Sequence, residues 1–336
     1  MKIKHIPERL RPDLGRRRLS AGLALGAVAP LAWGSALSGK DASVIVSPFA
    51  AAGGTNDVLS RILADALGRV LGETFIVENR PGANATIGTA YVARSEPDGR
   101  TLLMGNSASH GTNPTLYRHV PYDAVKDFAP VSLVGSVPVL LVVGTKLGVQ
   151  SVAELIEYGK RHPGTLSFGS SGIGSTGHLC GETFKTATGI DMVHSPYKAE
   201  PLAVKDVMGG QLTMAFVGVG PATIGVQSGM ARAIATATAQ RTSALPDVPT
   251  MKEAGVNDVE FSSWYALFAR SGSPQARVEA LNGAVKKILT FEDVREKMLK
   301  LGLEPKYSTP DDLAAFSRSE IERLGKIIRQ LGISLS

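Results

Sequence analysis

From residue 43 onward, short apolar runs alternate with stretches in which apolar residues recur every three or four positions. Residues 44–46 form the first β-rich run, and a glycine-rich turn follows. Leu59, Ile62, Leu63, Ala66, Leu67 and Val70 then share one face of a helix predicted from about Asp57 and closed by Gly72. Residues 75–77 and 101–104 read as the next strands. A second series of the same kind begins after the apolar run 139–143. Ser151-x-x-Glu154 is a capping box opening a helix. Strand 166–168, a helix through Glu182, strand 192–194, helix 203–208, and strands 212–216 and 231–237 complete it. Ser273-Pro274 and Thr309-Pro310 read as helix starts with proline in the first turn, so the tail is helical. Strands alternating with helices predict α/β architecture with mostly parallel sheets.

Two such series in 336 residues suit two lobes rather than one domain. We expect the chain to cross between lobes near 142–145 and 264–269. Lobe I then takes 42–143 with 267–336, and lobe II takes 144–266. A cleft facing the carboxyl ends of strands is where such folds bind ligands.

Charge changes this picture little. The formal net charge is +6, but the first 39 residues hold seven of the 36 basic and two of the 30 acidic residues, leaving 29 against 28. The remainder is near neutral, so a nucleic-acid partner has no electrostatic footprint. The basic excess belongs instead to a targeting pattern. Arg16-Arg17-Arg18-Leu19 precedes the apolar run 21–33, and small residues follow at 34–36. Residues 1–39 read as a twin-arginine-like export signal cleaved near 36–42, which implies a periplasmic protein. Cys180 is the only cysteine, so no internal disulfide forms.

Four loops could carry chemistry. Gly53-Gly54-Thr55-Asn56-Asp57 lies between strand and helix; glycines permit close backbone approach, and a helix start offers unpaired amides. The same residues would also serve as a tight turn with a simple cap. Residues 170–178 follow a strand and open a helix. Gly172, Gly174 and Gly177 spell the dinucleotide pattern G-x-G-x-x-G, but Asp191 precedes the next strand rather than ending it. With Ser171, Ser175 and Thr176 beside them, the glycines read as a carboxylate loop, a nucleotide loop or a structural turn. Ser107 lies in a third loop after strand 101–104. Tyr197 and Lys198 follow strand 192–194, and Lys198 reads either as a carboxylate partner or as a surface charge. There is no nucleophile elbow, and the histidines lack metal-ligand spacing. Cys180 reads as a buried small hydrophobe.

Taken in order, these loops and their neighbours resemble the Bug-type receptors of tripartite tricarboxylate transporters. The markers run from Pro48-Phe49 and Gly53-Gly54-Thr55-Asn56-Asp57 through Glu78-Asn79-Arg80-Pro81-Gly82 and Pro97-Asp98-Gly99. They continue with Pro121-Tyr122-Asp123, Lys126-Asp127-Phe128, Pro196-Tyr197-Lys198 and Leu245-Pro246-Asp247-Val248-Pro249-Thr250. The resemblance implies a two-lobed periplasmic-binding-protein-like (type II) fold without enzymatic activity or cofactor. It implies a receptor for di- or tricarboxylates, aromatic acids or acidic amino acids, delivered to membrane transporter subunits. It places the ligand carboxylate on the loops 53–57 and 171–176. Phe49, Gly53, Gly54, Thr55, Asp57, Ser107, Ser171, Gly174, Ser175, Thr176, Tyr197 and Lys198 are the expected binding residues. We expect a monomer that binds no metal. Two departures stand out. Ala50-Ala51-Ala52 is one residue longer than the usual spacer, and Val217-Gly218 replaces the usual Asp or Asn, which suggests a more apolar ligand end. An exported nucleotide-dependent oxidoreductase and a ligand-sensing protein are the alternatives.

Overall fold

The structure, a computed structural model, describes residues 42–48 and 54–335. The expected export signal lies outside them.

The first lobe is built from β1 (Ser43–Ser47), α1 (Thr55–Leu71), β2 (Phe75–Asn79), α2 (Thr86–Ala93) and β3 (Thr101–Asn106). β1 pairs in parallel with β2 on one side and β3 on the other. α1 ends where expected: Gly72 adopts a left-handed φ of 70°, and its amide reaches the Gly68 carbonyl at 3.0 Å. A wide helical turn at Ala108–Thr112 and the short α3 (Asn113–Leu116) lead to β4 (Phe128–Gly144).

β4 is 17 residues long, and only its apolar end, 139–143, was legible. Pro130, Ser132, Gly135, Ser136 and Pro138 interrupt the alternation in its first half. The strand tolerates them through register shifts at Pro130/Ser132 and Leu133/Gly135. Up to Pro138 it pairs with a later strand, β9 (Ser262–Arg270); from Val139 it pairs with two strands of the second lobe. Val139, Leu141 and Val143 enter one core and Leu140 and Val142 another, so this half is buried on both faces.

The second lobe continues with α4 (Val152–Arg161), β5 (Leu166–Ser170), α5 (Thr176–Thr188), β6 (Met192–Pro196), α6 (Glu200–Gly209), β7 (Met214–Gly218), α7 (Val219–Gln227) and β8 (Ala231–Thr236). The Ser151 hydroxyl caps α4 by accepting from the Glu154 amide at 3.2 Å. β7 starts two residues later than expected. Gly210 ends α6 with a left-handed φ of 83°, and the amides of Gln211 and Leu212 are both taken by the Asp206 carbonyl. That turn holds residues 211 and 212 out of the sheet.

The chain returns through β9 (Ser262–Arg270), then α8 (Gln275–Ile288), α9 (Glu292–Lys300), β10 (Glu304–Pro305) and α10 (Pro310–Gln330). Thr309 caps α10 as expected, but α8 starts at Gln275, because the Ser273 hydroxyl donates to Arg270 O instead of capping. The main strand order is β2-β1-β3-β9-β4-β7-β5-β6. Pairing is parallel toward both edges and antiparallel around β4 and β9, which join the lobes. Residues 142–144 and 264–269, where crossings were expected, lie inside strands. The change of partners falls at Pro138/Val139, and β9 begins opposite it, with Ser262 aligned on Pro138.

α10 touches both lobes. Leu313 enters the first-lobe core with Trp264 and Phe268, whereas Leu324 and Ile328 enter the second-lobe core with Phe168 and Phe216. Within the second lobe, α5 packs so closely on β7 that a Cβ at Gly177 would overlap the Phe216 carbonyl oxygen. Gly177→Ala should therefore cost about 1–3 kcal/mol in urea unfolding. Gly283→Ala, in α8 with open space around it, should gain up to about 1 kcal/mol. Equal effects of the two substitutions would contradict this packing.

Candidate functional site

Four helices begin at the carboxyl ends of four parallel strands: α1 after β1, α5 after β5, α6 after β6 and α7 after β7. The first turn of each has amides that no carbonyl of its own helix accepts, and each carries the positive end of the helix dipole. All four starts line one cavity of about 810 Å³ between the lobes, through Thr55, Thr176, Glu200 and Gly220 among others.

The first-lobe wall is set by buried polar contacts. The Ser47 hydroxyl donates to Asn56 Oδ1 at 2.7 Å, and Asn56 Nδ2 donates to the Met104 carbonyl at 3.1 Å. Asn56 thus pins the start of α1 to the ends of β1 and β3, and Gly54, Thr55 and Asn56 line the cavity. After β3, Asn106 Oδ1 accepts the amides of Ala108 and Ser109 at 3.1 and 3.0 Å, which turns Ser107 into the cleft. Behind it His110 is wholly buried and stacked on Phe268 at 4.0 Å; burial pushes its imidazole down to about 3, so it is neutral. The turn before α2 is strained: Ala83, Asn84 and Ala85 have φ of 45°, 49° and 75°, a left-handed run that costs non-glycine residues roughly 1–2 kcal/mol each. Gly82 and Asn84 of this turn line the cavity, and the carbonyl of Asn84 is held by Asn113 Nδ2 at 2.7 Å.

The second-lobe wall is organised around Ser170. Its hydroxyl meets His194 Nε2 at 2.8 Å and accepts from the Ser175 hydroxyl at 3.2 Å. His194 stacks on His178 with ring centroids 3.9 Å apart, and the Gly174 amide donates to His178 Nδ1 at 3.0 Å. Ser175 caps α5 by accepting from the His178 amide. Burial pushes both imidazoles down to about 4. An acceptor Nδ1 on His178 requires the same neutral ring. The two walls touch where Ser107 Oγ and Thr176 Oγ1 lie 3.3 Å apart.

Of the expected binding residues, Gly54, Thr55, Ser107, Ser171, Gly174, Ser175, Thr176 and Lys198 all line this cavity. Phe49 and Gly53 lie outside the described residues. Asp57 and Tyr197 are not on the lining. Asp57 turns behind α1, where its carboxylate pairs with Arg61 at 2.8 Å and accepts from Asn79 at 2.9 Å. A residue one position past the cavity-facing start of a helix is carried around its axis, and this rotation hides Asp57. The Tyr197 hydroxyl donates to Asp206 at 2.7 Å, on the far side of its strand end. The ring is used for packing: Gly169 lies against it.

Sequence reasoning missed Asn84, Glu200, Gly220, Ser263 and Tyr265, which also line the cavity. Glu200 matters most. Its Oε2 accepts from the Gly218 amide at 3.0 Å, directly at the position where a polar side chain was thought lost. That end of the cleft is acidic, not apolar. A glutamate in the first turn of a helix reads as a dipole match, so nothing local marked it.

A two-lobed α/β fold with strand ends and helix starts converging on an interlobe cleft is the architecture of solute-binding proteins. The chain matches the tripartite tricarboxylate transporter family receptor over residues 59–333 and belongs to that family, one of receptors rather than enzymes. BugT of Bordetella pertussis is 35% identical over 284 residues, 84% of this chain and 87% of its own. An R. palustris protein solved with adipate is 36% identical with a TM-score of 0.77, covering 87% of this chain and 98% of that one. MatC from Rhodopseudomonas palustris, solved with malate, is 29% identical with a TM-score of 0.72, covering 85% and 98%.

The stacked histidines predict an acid sensitivity. An imidazole protonates near 6.5 when solvated and near 4 in this fold. Between those values the unfolded chain binds more protons, so stability falls as pH falls. The contribution is complete above about 6.5 and lost as pH drops through about 4. Unfolding of His194→Gln, followed from pH 7 to 4.5, should depend on pH less steeply than that of the wild type. Parallel curves would show that the pair is not held neutral.

Proposed function

We propose that this chain is an exported receptor that captures a small carboxylate in the interlobe cleft and delivers it to membrane transporter subunits. The observation that carries this reading is the convergence of four helix starts, one from the first lobe and three from the second, on one cavity. A carboxylate stripped of water needs several donors, and hydrogen bonds to a charged group contribute about 1.5–3 kcal/mol each. Thr55 and Asn56 at the start of α1 and Thr176 at the start of α5 line the same cavity, as do Ser107, Ser171, Ser175 and Lys198. A carboxylate bridging α1 and α5 would bond both lobes at once and so couple capture to closure about the Pro138/Val139 and Ser262 crossings. Adipate and malate in two family members support this ligand chemistry.

The dinucleotide alternative is weaker on this geometry. β6 ends in Ser195 and Pro196, whereas Asp191 precedes it, so no acid stands where a ribose would be held. Gly177 is spent on packing against Phe216. Cys180 is fully buried, and burial raises its thiol, which removes it as a nucleophile. Among the described residues no helix is long and apolar enough to cross a membrane. Export through the arginine-led signal and a periplasmic location complete the proposal.

A thermal-shift screen with succinate, malate, glutamate, benzoate and adipate tests it. A bound acid at ~100 times its Kd should stabilise the protein by roughly 2.7 kcal/mol. Gly54→Val, which crowds the start of α1, should weaken that acid at least tenfold while the unliganded protein unfolds near the wild-type temperature. No stabilisation by any carboxylate would reject the reading, and unchanged affinity in Gly54→Val would move the site elsewhere.

A further inference from the structure

The four helix starts around the cavity are not equivalent, and Glu200 is the reason. It is the first residue of α6, and its carboxylate reaches across to the Gly218 amide, which caps the start of α7. The starts of α6 and α7 are therefore already joined by a carboxyl group that belongs to the protein. The start of α5 has no acid in its first turn, and the one in α1, Asp57, lies off the cavity lining with its carboxylate taken by Arg61 and Asn79. A side chain thus occupies the place where a second ligand carboxylate would otherwise be received.

The Glu200 carboxyl is sparsely partnered. The Gly218 amide is its only hydrogen-bond partner among the described residues, and it forms no ion pair there. Burial pushes its carboxyl above the usual carboxylate range, with the Gly218 amide working against that push. The Tyr265 hydroxyl group, on another face of the cavity, is held protonated by burial and by the field of Glu200. Lys198 also lines the cavity, two residues before Glu200, and the intervening Ala199 is extended with φ −158° and ψ 147°. An extended residue places its two neighbours' side chains on the same side of the chain. Yet Lys198 and Glu200 do not pair. One corner of the second lobe thus offers a positive and a negative group held apart.

We infer that Glu200 is a specificity-determining residue that selects a zwitterionic ligand, with a carboxylate for the starts of α1 and α5 and a protonated amine for Glu200. This rests on the carboxylate-receptor reading above and narrows it. A plain dicarboxylate would have to bring its second carboxylate against Glu200, and two like charges in a desolvated pocket repel strongly. A ligand amine would instead favour the ionised form of the half-buried Glu200 carboxyl, forming a charge-assisted hydrogen bond.

The test uses matched pairs that differ only in the far group: succinate with 4-aminobutanoate, glutarate with 5-aminopentanoate, and adipate with 6-aminohexanoate. Each is titrated calorimetrically at pH 7.5 into the wild type, Glu200→Gln and Glu200→Ala. Glu200→Gln keeps an acceptor for the Gly218 amide, and thermal unfolding checks that each variant is folded. In the wild type the amino member of the best-binding pair should bind at least tenfold more tightly than its diacid. Glu200→Gln should erase that preference, and Glu200→Ala should improve the diacid at least tenfold by freeing the starts of α6 and α7. The proposal is overturned if the wild type prefers the diacid, or if the preference is the same in Glu200→Gln. In either case the receptor reading survives, because a carboxylate still binds. If no member of any pair binds the wild type, and the wider acid screen is also silent, both fall together.

Discussion

The first turn of an α-helix has amides without carbonyl partners, and this molecule gathers four such turns around one space. Everything else in the site serves to hold them there. Asn56 locks the start of α1 to the ends of β1 and β3, and Ser170 with the His178–His194 stack locks the loop that opens α5. These supports are neutral. Both histidines, like His110 behind the opposite wall, are kept uncharged by burial, and among the described residues Lys198 and Glu200 are the only Lys, Arg, Asp or Glu side chains on the lining. Anion binding by neutral amides avoids a buried cation that would itself need compensation when the cleft is open.

The convergence depends on how the lobes are joined. β4 belongs to both halves of the sheet and is continuous through Pro138, so the two sets of parallel strands are fixed to one backbone and their carboxyl ends meet at one cleft. β9 runs beside it only in the first lobe, and α10 lies along both cores. Two strand connections and a spanning helix therefore tie the lobes together. The Ser107–Thr176 contact shows how little space separates the walls when they meet.

Much of this was legible because local rules were obeyed. The Ser151 and Thr309 caps, the Gly72 stop and the strand-to-helix loops at 53–57 and 170–178 follow from short-range chemistry, and eight of the expected binding residues do line one cavity. Failures arose where tertiary context decided. The first half of β4 has prolines and serines because both of its neighbours are supplied from distant segments, so pairing overrides its poor local pattern. Asp57 and Asn56 adjoin in sequence, but only rotation about the helix tells which faces the cleft. Tyr197 is claimed by Asp206, nine residues on. Glu200 acquires meaning only from Gly218, eighteen residues away, and no single-sequence pattern links them.

The central claim is that backbone amides of α1 and α5, from opposite lobes, share one ligand carboxylate. A crystal structure of the protein grown with the acid that stabilises it most would test this directly. The account predicts carboxylate oxygens within about 2.7–3.1 Å of amides at both Thr55–Asn56 and Thr176–Gly177, or joined to them by single ordered waters. A carboxylate held by side-chain cations alone, or by one lobe with the other helix start turned to solvent, would contradict it.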